Sequence, residues 1–310
     1  MSNFRFVIGR FLGAIPTLLI LICLAFLLVK SAPGGPFDFE RSLPEEVEAN
    51  LRAAYNLDDP VYLQLFKYIG DLLQGDFGPS FQYRDYTVTE LIATGFPVSL
   101  RLGTAAIFLA LIFGSIIGSV AALNQNSKLD YSVMFFGMIG ISIPNFVMAP
   151  LLVLFFSIGL KALPAGGYNG GDFYHMVLPV VSLALPQMAY IARLTRGSMI
   201  EVLSSNFVRT AKAQGLPTRS ILLKHVLKPT LLPVVSYLGP ATAAIITGSV
   251  VVEQIFGLPG LGRYFVQGAL NRDYTLVMGV VVFYGCLIIL FNLIVDTLYG
   301  FIDPRIKQNR

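Results

Sequence analysis

The chain has 310 residues, of which 55% are hydrophobic and only 13% are charged. Soluble domains carry about 25% charged residues, whereas the mean hydropathy of this chain is +0.70. These values exclude a soluble enzyme, a nucleic-acid-binding protein and a disordered chain, and they predict a polytopic helical membrane protein. Both cysteines, Cys23 and Cys286, lie inside apolar stretches, which argues against a disulfide scaffold and against a cysteine-rich metal site.

Six stretches without formal charge are long enough to cross a bilayer, which takes about 20 apolar residues in a helix. The first follows Arg5 and Arg10 but lacks a small-x-small cleavage site, so we expect a retained span. The third contains Pro144 and Pro150, and we expect one span there, either kinked and tilted or ending early in an interfacial segment. The six are Phe11–Val29, Leu102–Leu123, Tyr131–Leu160, Phe173–Ala192, Thr230–Val252 and Tyr274–Val295.

The distribution of lysine and arginine predicts the orientation of these spans. The N-terminus and segments 124–130, 193–229 and 296–310 together hold 13 basic and 4 acidic residues, against 9 basic and 14 acidic residues on the other side. Because cytoplasmic loops are enriched in lysine and arginine, we expect both termini to be cytoplasmic.

Outer segment 31–97 is too long for a simple connection and carries 11 acidic and 4 basic residues. A capping-box pattern at Ser42–Glu45 predicts a helix to about Tyr55, and Asp59-Pro60 predicts the start of a second, amphipathic helix that Gly75 ends. The segment is therefore either a small solvated domain on the membrane surface or a docking platform for an external partner.

Inner segment 193–229 carries seven basic residues and one acidic residue. Asn206 is a candidate cap for a short helix that ends at Gly215 and Pro217. Thr218 then predicts the cap of a second short helix, Arg219–Lys228, which Pro229 closes into the fifth span. The segment is either an ordinary positive-inside loop or a slim knob that fits a protein groove, and the small residues at its tip favour the groove.

Small residues at four-residue spacing form a ridge along the second span, which allows close approach of another helix in lipid. They are Ala106, Ala110, Gly114, Gly118 and Ala122. No charge lies in the middle of any span, which argues against a proton-coupled transporter but leaves sodium coupling through backbone carbonyls open.

The glycine-rich sequence Gly257–Gly262 is not followed by Lys-Ser or Lys-Thr, and it falls on the outer side of the predicted topology. It therefore predicts a turn or a re-entrant loop and not a phosphate-binding loop. The chain shows no nucleophile–base set and no inner pair of carboxylates, so we expect no catalytic site in it.

Several tracts resemble the peptide family of ABC importer permeases, which includes oligopeptide, dipeptide and nickel permeases, and most closely its oligopeptide B-type subunits. Arg209-Thr210-Ala211 stands where the general coupling-loop pattern has Glu-Ala-Ala, and Gly215 matches its glycine. The peptide-permease version of the signature is matched by Thr195–Leu203 leading into Phe207–Gly215. Further matching tracts are Leu57–Pro60, Gly75–Ser80, Gly257–Gly262, Leu270–Tyr274 and Ile302–Ile306.

The resemblance implies a type I ABC importer permease fold with six transmembrane helices and a small helical periplasmic insertion between the first two. It implies these parts: residues 1–30 with the N-terminus and first span, the periplasmic insertion 31–97, the core 98–300 with coupling loop 193–229, and the cytoplasmic tail 301–310. The ATPase-coupling residues would be Asn206, Phe207, Arg209, Thr210, Ala211, Lys212, Ala213, Gln214, Gly215 and Leu216. The periplasmic docking residues would be Gly257, Leu258, Pro259, Gly260, Leu261 and Gly262.

The resemblance also implies partners and a location. This chain would be half of the peptide pathway in a bacterial inner membrane, beside a second, homologous permease subunit. Two cytoplasmic ABC ATPase subunits would hold ATP and magnesium, so we expect no cofactor and no enzyme activity in this chain, and no nucleic acid as partner. A periplasmic or lipid-anchored binding protein would deliver the peptide. The alternatives are a secondary transporter that works alone and a membrane scaffold or receptor without transport activity.

Overall fold

A computed structural model describes residues 3–31, 58–83 and 85–302, and these residues are almost entirely helical. The helix predicted between Ser42 and Tyr55 lies outside the described residues. The helices are α1 (Asn3–Ser31), α2 (Val61–Leu73), α3 (Val88–Leu123), α4 (Lys128–Ser142), α5 (Asn145–Leu152), α6 (Phe173–Leu203), α7 (Asn206–Ala213), α8 (Leu227–Phe256), α9 (Leu261–Leu270) and α10 (Tyr274–Ile302). A π-helical turn, Val153–Gly159, extends α5, and a short 3₁₀ turn, Asn169–Gly171, precedes α6.

Among the described residues, five helical stretches are long and apolar enough to cross a membrane, and there are up to six if one bent pair counts as a span. The five are Phe11–Ser31, Val88–Leu123, Phe173–Leu203, Thr218–Ile246 and Tyr274–Val295. The bent pair consists of Lys128–Ser142 and Asn145–Gly159, which meet at an angle of 108°. The break falls at Pro144, which caps α5 and cannot continue the hydrogen-bond ladder of α4.

Contacts at its two ends indicate that the bent pair crosses as one broken span. Its beginning is held at the inner end of α6, because Arg196 forms an ion pair with Asp130. The chain that follows it is held at the opposite end of the molecule, where Gly167 N donates to Phe256 O (2.7 Å), the last residue of α8. These contacts favour the predicted six crossings, with the third interrupted by a sharp bend.

The second span begins well before the charge-free stretch that predicts it. Helix α3 starts at Val88, where Thr87 and Glu90 form a complete capping box, and it includes Arg101. The guanidinium of Arg101 lies at the outer end, where its Nη1 donates to the Tyr168 hydroxyl at 3.4 Å. The expected boundary between residues 97 and 98 therefore falls inside a continuous helix.

Helix α2 matches the second predicted outer helix, although its predicted cap is wrong. The N-cap residue is Pro60, which offers no side-chain hydrogen bond. The Asp59 carboxylate instead accepts a hydrogen bond from Lys67 Nζ (2.7 Å), about two helical turns further along the chain. It therefore does not cap the backbone N–H groups of the first turn of α2.

Three groups of buried side chains hold the helices together. The central group joins α3, α5, α6 and α8, and the outer group joins α3, α9 and α10. The inner group lies where α3, α6 and α7 meet the helical turns that precede α8. The molecule is thus a helix bundle with a separate small core at its inner end, directly under α7.

Candidate functional site

Helix α7 is the short inner helix predicted from the knob sequence. Its N-cap residue is Ser205, so the prediction that Asn206 caps the helix is wrong, and Asn206 is its first residue. Its end matches the prediction: Gly215 has φ +77°, Gly215 N donates to Lys212 O (3.0 Å) and Leu216 N donates to Ala211 O (3.3 Å). These two bonds form a Schellman motif, which needs a residue in the left-handed region and therefore favours glycine.

One face of α7 is buried against the inner ends of the spans. Val208 and Ala211 pack into the inner core, and Ala211 is only 6% exposed. Their partners in this core are Ala122 of α3, Met199 of α6, and Ile221 and Val226 of the turns before α8. The prediction that Ala211 lies at an exposed tip is therefore wrong, because its methyl group packs on this chain.

The opposite face of α7 is exposed and consists of small or short side chains. Asn206, Thr210 and Ala213 share this face, since at 100° per residue they lie within an arc of about 60°. Phe207 is 49% exposed at its edge. The other predicted coupling residues, Arg209, Lys212, Gln214, Gly215 and Leu216, are also exposed. The outward surface therefore has short side chains at its centre and basic side chains, Arg209 and Lys212, along one flank.

The chain after α7 continues without interruption into the fifth span. Pro217 is the N-cap residue of a short turn, Thr218–Ser220, which runs through a π-helical turn, Ile221–Val226, into α8. The prediction of a separate helix capped by Thr218 and closed at Pro229 is wrong. In a regular helix the ring of Pro229 would clash with the carbonyl four residues earlier, which belongs to His225. That residue lies in the wider π-helical turn, whose backbone spacing accommodates the proline.

The ridge of α3 faces α6 along its whole length. All five predicted residues, Ala106, Ala110, Gly114, Gly118 and Ala122, are buried. A Cβ atom at Gly114 would lie 2.7 Å from the carbonyl oxygen of Met188, and one at Gly118 would collide with the backbone of Ala192. The ridge ends at Ala122 in the inner core, so the close α3–α6 contact runs directly into the anchor of α7.

An ion pair between the buried Asp130 and the partly exposed Arg196 lies beside this anchor. Arg196 Nε donates to Asp130 Oδ1 (2.5 Å) and Nη2 donates to Asp130 Oδ2 (2.6 Å), while the backbone N–H of Asn126 adds a third bond (2.9 Å). The Asp130 side chain is 1% exposed. Bidentate pairs of this kind are strong and directional. This pair fixes the start of α4 to α6, ten residues before α7 begins.

At the outer end, the glycine-rich sequence folds back onto Glu253. Glu253 Oε1 accepts from Ser99 Oγ (2.6 Å) and Oε2 accepts from Gly262 N (2.7 Å), while Leu261 N donates to Ser99 Oγ (2.9 Å). Burial raises the pKa of the Glu253 carboxyl, and the hydrogen bonds it accepts oppose that shift. These hydrogen bonds hold the turn between α8 and α9 in place and connect it to Ser99 of α3.

This arrangement places most of the predicted docking tract Gly257–Gly262 in the interior of the chain. Leu258, Gly260, Leu261 and Gly262 are buried in this chain and have no surface to offer a partner in this conformation. Gly257 is exposed, with φ +65° where it ends α8, and Pro259 is half-buried. The glycines serve close packing, because a Cβ at Gly260 would meet the Glu253 carboxylate and Ser99.

A second outer connection involves Asp273, which is fully buried. Asp273 Oδ2 accepts from the hydroxyl of Ser80 and from Gln82 N (3.0 Å), and Oδ1 accepts from Leu276 N in the first turn of α10 (3.1 Å). No sequence pattern predicts a partner for Asp130, Ser99, Glu253 or Asp273. Each of the three acids stands alone beside an apolar stretch. Because a buried carboxylate needs hydrogen-bond donors, this position indicates that each acid has partners, but not which residues they are.

Comparisons with known proteins agree with this architecture. Residues 114–308 match the family model described as "Binding-protein-dependent transport system inner membrane component". The chain is 58% identical to the oligopeptide transport system permease protein OppB of Escherichia coli (strain K12), over 98% of this chain and 99% of that protein. It is 45% identical to the dipeptide transport system permease protein DppB of Bacillus subtilis (strain 168), over 99% of both.

Among solved structures, the chain aligns with one from the inward-facing MetNI methionine ABC transporter. The TM-score is 0.59 at 19% identity, over 69% of this chain and 96% of that chain. At this identity the likeness concerns the fold, which is that of an ABC importer permease. With the family model covering more than half of the sequence, the chain belongs to the binding-protein-dependent transport system inner membrane components.

Proposed function

We propose that this chain is a permease subunit of an ABC importer that takes up peptides across the bacterial inner membrane. It forms half of the pathway beside a second, homologous permease subunit, and both of its termini are cytoplasmic. Two ATPase subunits on the cytoplasmic side hold ATP and magnesium, and this chain holds no cofactor. A periplasmic or lipid-anchored binding protein delivers the peptide. The relatives' names and the excess of basic residues on the inner side support these assignments.

The observation that carries the proposal is the two-faced packing of α7. Val208 and Ala211 attach the helix to the inner ends of α3, α6 and the fifth span through a buried core. Asn206, Thr210 and Ala213 face outward, where a groove on an ATPase subunit can receive them. Tightly packed side chains are hard to compress, so a displacement of α7 is passed on to the helices it contacts. A rigid-body motion of the ATPase would therefore move α3, α6 and the fifth span together.

Crosslinking tests this contact. Thr210 is the position for the crosslink, since its side chain is exposed, whereas the neighbouring Ala211 is buried. Thr210→Cys should form a crosslink to the ATPase subunit in the assembled transporter. Ala213→Trp should weaken ATPase docking or uncouple ATP hydrolysis from peptide uptake, because the indole cannot enter a groove shaped for a methyl group. Ala165→Trp, an exposed alanine on the outer side, is the matched control and should leave both unchanged.

The energy source distinguishes this function from the two alternatives. In vesicles, uptake should require ATP on the ATPase side and should fail with this chain alone under an ion gradient. Uptake by the chain alone would make it a secondary transporter. Normal peptide uptake by cells that lack the chain would make it a scaffold or receptor. If Ala213→Trp leaves both docking and uptake intact and Thr210→Cys forms no crosslink, α7 is an ordinary inner loop.

A further inference from the structure

Helix α2 exposes an apolar strip to its surroundings. Tyr62 is 66% exposed, Phe66 69% and Leu73 86%, and the helix contains no buried residue. At 100° per residue these three side chains lie within an arc of about 40°, and Asp71 lies on the opposite side of the helix. Such an amphipathic helix outside the spans needs a partner for its apolar side, and the choice is between protein and lipid.

The C-terminal end of α2 is fixed to the outer ends of two spans. Thr89, in the first turn of α3, donates from its hydroxyl to Gly75 O (3.3 Å) and accepts from Phe77 N (3.2 Å). A few residues later, Ser80 and Gln82 donate to Asp273, directly before α10. Leu73 therefore lies only two residues from a point that is bonded to a transmembrane helix.

The packing of α1 on α10 shows where the bilayer ends. A Cβ at Gly285 of α10 would meet Leu21 of α1, so these positions lie at one height. With six crossings the two helices run antiparallel, so Lys30 and Leu276, each nine residues further outward, are also level, about 14 Å above that contact. Lys30 is the first charge after the first span. The outer boundary of the hydrocarbon therefore passes close to Leu276.

Asp273 lies within one helical turn of Leu276, so the segment to which it is bonded lies at the membrane surface. An exposed aromatic side chain lies close to this level, since Tyr86 is 54% exposed just before Val88, and a Cβ at Gly279 of α10 would meet Val88. Tyrosine prefers this interface, where its apolar ring and its polar hydroxyl are both satisfied. The chain contains no tryptophan that could take this role.

We propose that α2 is an interfacial anchor that lies on the outer leaflet, with Tyr62, Phe66 and Leu73 inserted between lipid headgroups and acyl chains. The polar residues Gln64, Lys67 and Asp71 face water. The anchor holds the outer segment flat against the membrane and fixes its height above the pathway. The contacts that tie its C-terminal end to α3, from Thr89 to Gly75 and Phe77, lie within this chain.

The absence of tryptophan makes the test direct. Phe66→Trp and the matched control Asp71→Trp each place a single indole on one side of α2. The full chain is reconstituted in vesicles of phosphatidylethanolamine and phosphatidylglycerol, with or without phosphatidylcholine brominated on its acyl chains. We expect blue-shifted emission for F66W, with bromolipid quenching several-fold stronger than for D71W. Iodide in the aqueous phase should quench D71W several-fold more strongly than F66W.

Two results would overturn the proposal. Equal quenching of both variants by iodide, with no effect of bromolipid, would place the apolar strip in water. Protection of F66W from both quenchers would place the strip on protein, either this chain or a binding protein, and would favour a docking platform over a membrane anchor.

Discussion

At the scale of single residues, three buried carboxylates join parts of the chain that are far apart in sequence. Asp130, Glu253 and Asp273 are each at most 1% exposed, and each accepts at least two hydrogen bonds. All three lie near the ends of spans, where donors from turns and helix starts are available. A carboxylate in the middle of a span would need its own partners within the hydrocarbon, at a much higher cost.

The Asp130–Arg196 pair gives a prediction at this scale. Arg196→Lys keeps the charge but loses the bidentate geometry, and we expect it to destabilise the chain by about 1–3 kcal/mol. Arg196→Ala leaves Asp130 buried without its counter-charge, and the cost should rise to about 3–5 kcal/mol. Thermal unfolding of the solubilised chain measures both, with the exposed Arg219→Lys as control. If R196A unfolds at the same temperature as R219K, the pair contributes nothing.

At the scale of helices, contact between backbones decides which elements can move separately. At Gly114 and Gly118 the ridge of α3 meets the backbone of α6 with no side chain between them, so we expect these two helices to move together. Helix α7 joins that unit through Ala122 and Met199, and the fifth span through Ile221 and Val226. An inward push on α7 would therefore displace α3 and α6 as a pair.

A bulky side chain at Gly114 tests whether α3 and α6 must stay in close contact. Gly114→Leu would place four carbon atoms against the Met188 carbonyl and Ile191, so we expect loss of correct packing or of peptide uptake. The matched control is Gly137→Leu, since a Cβ at Gly137 would meet nothing within 4 Å. The yield of monodisperse protein and the rate of uptake measure the effect. Normal values of both for G114L would mean that α3 and α6 separate easily.

At the scale of the whole molecule, the direction of every later helix depends on the bent pair α4–α5. If it crosses, the chain has six spans and both termini lie on one side. A 108° bend is also compatible with a re-entrant loop, which would reverse the orientation of α6, α8 and α10. The bonds from Asp130 to Arg196 and from Gly167 to Phe256 favour a crossing, because they hold the two ends of the pair at opposite ends of the bundle.

Cysteine labelling tests this crossing. Gln125→Cys and Ala165→Cys, both at exposed positions, flank the bent pair, in a background where Cys23 and Cys286 are replaced by alanine. A membrane-impermeant thiol reagent should label Ala165→Cys in intact cells, and Gln125→Cys only after the membrane is opened. Labelling of both only after the membrane is opened would indicate a re-entrant loop. Ser80 is not a suitable position for this experiment, because its side chain is 2% exposed and bonded to Asp273.

The sequence alone determined the class of the protein, because the length of a charge-free stretch and the side of a basic loop are local properties that do not depend on how helices pack. It also placed the ridge of α3 and the turn at Gly215, since four-residue spacing and a left-handed glycine can be read within a few residues. The tertiary structure alone decided that Ala211 is buried and Ala213 is exposed, because both are small residues on one short helix and only the inner core distinguishes the two sides.

The tertiary structure also decided the role of the Gly257–Gly262 turn and of its carboxylate. Ser99 and Glu253 are separated by 154 positions in the chain, and neither residue type predicts the other. A glycine-rich outer turn looks the same in sequence whether it faces a partner or folds back on a buried acid. Only the three-dimensional packing of α3, α8 and α9 brings the donors to Glu253, and the need to satisfy that buried carboxylate then draws the turn into the core.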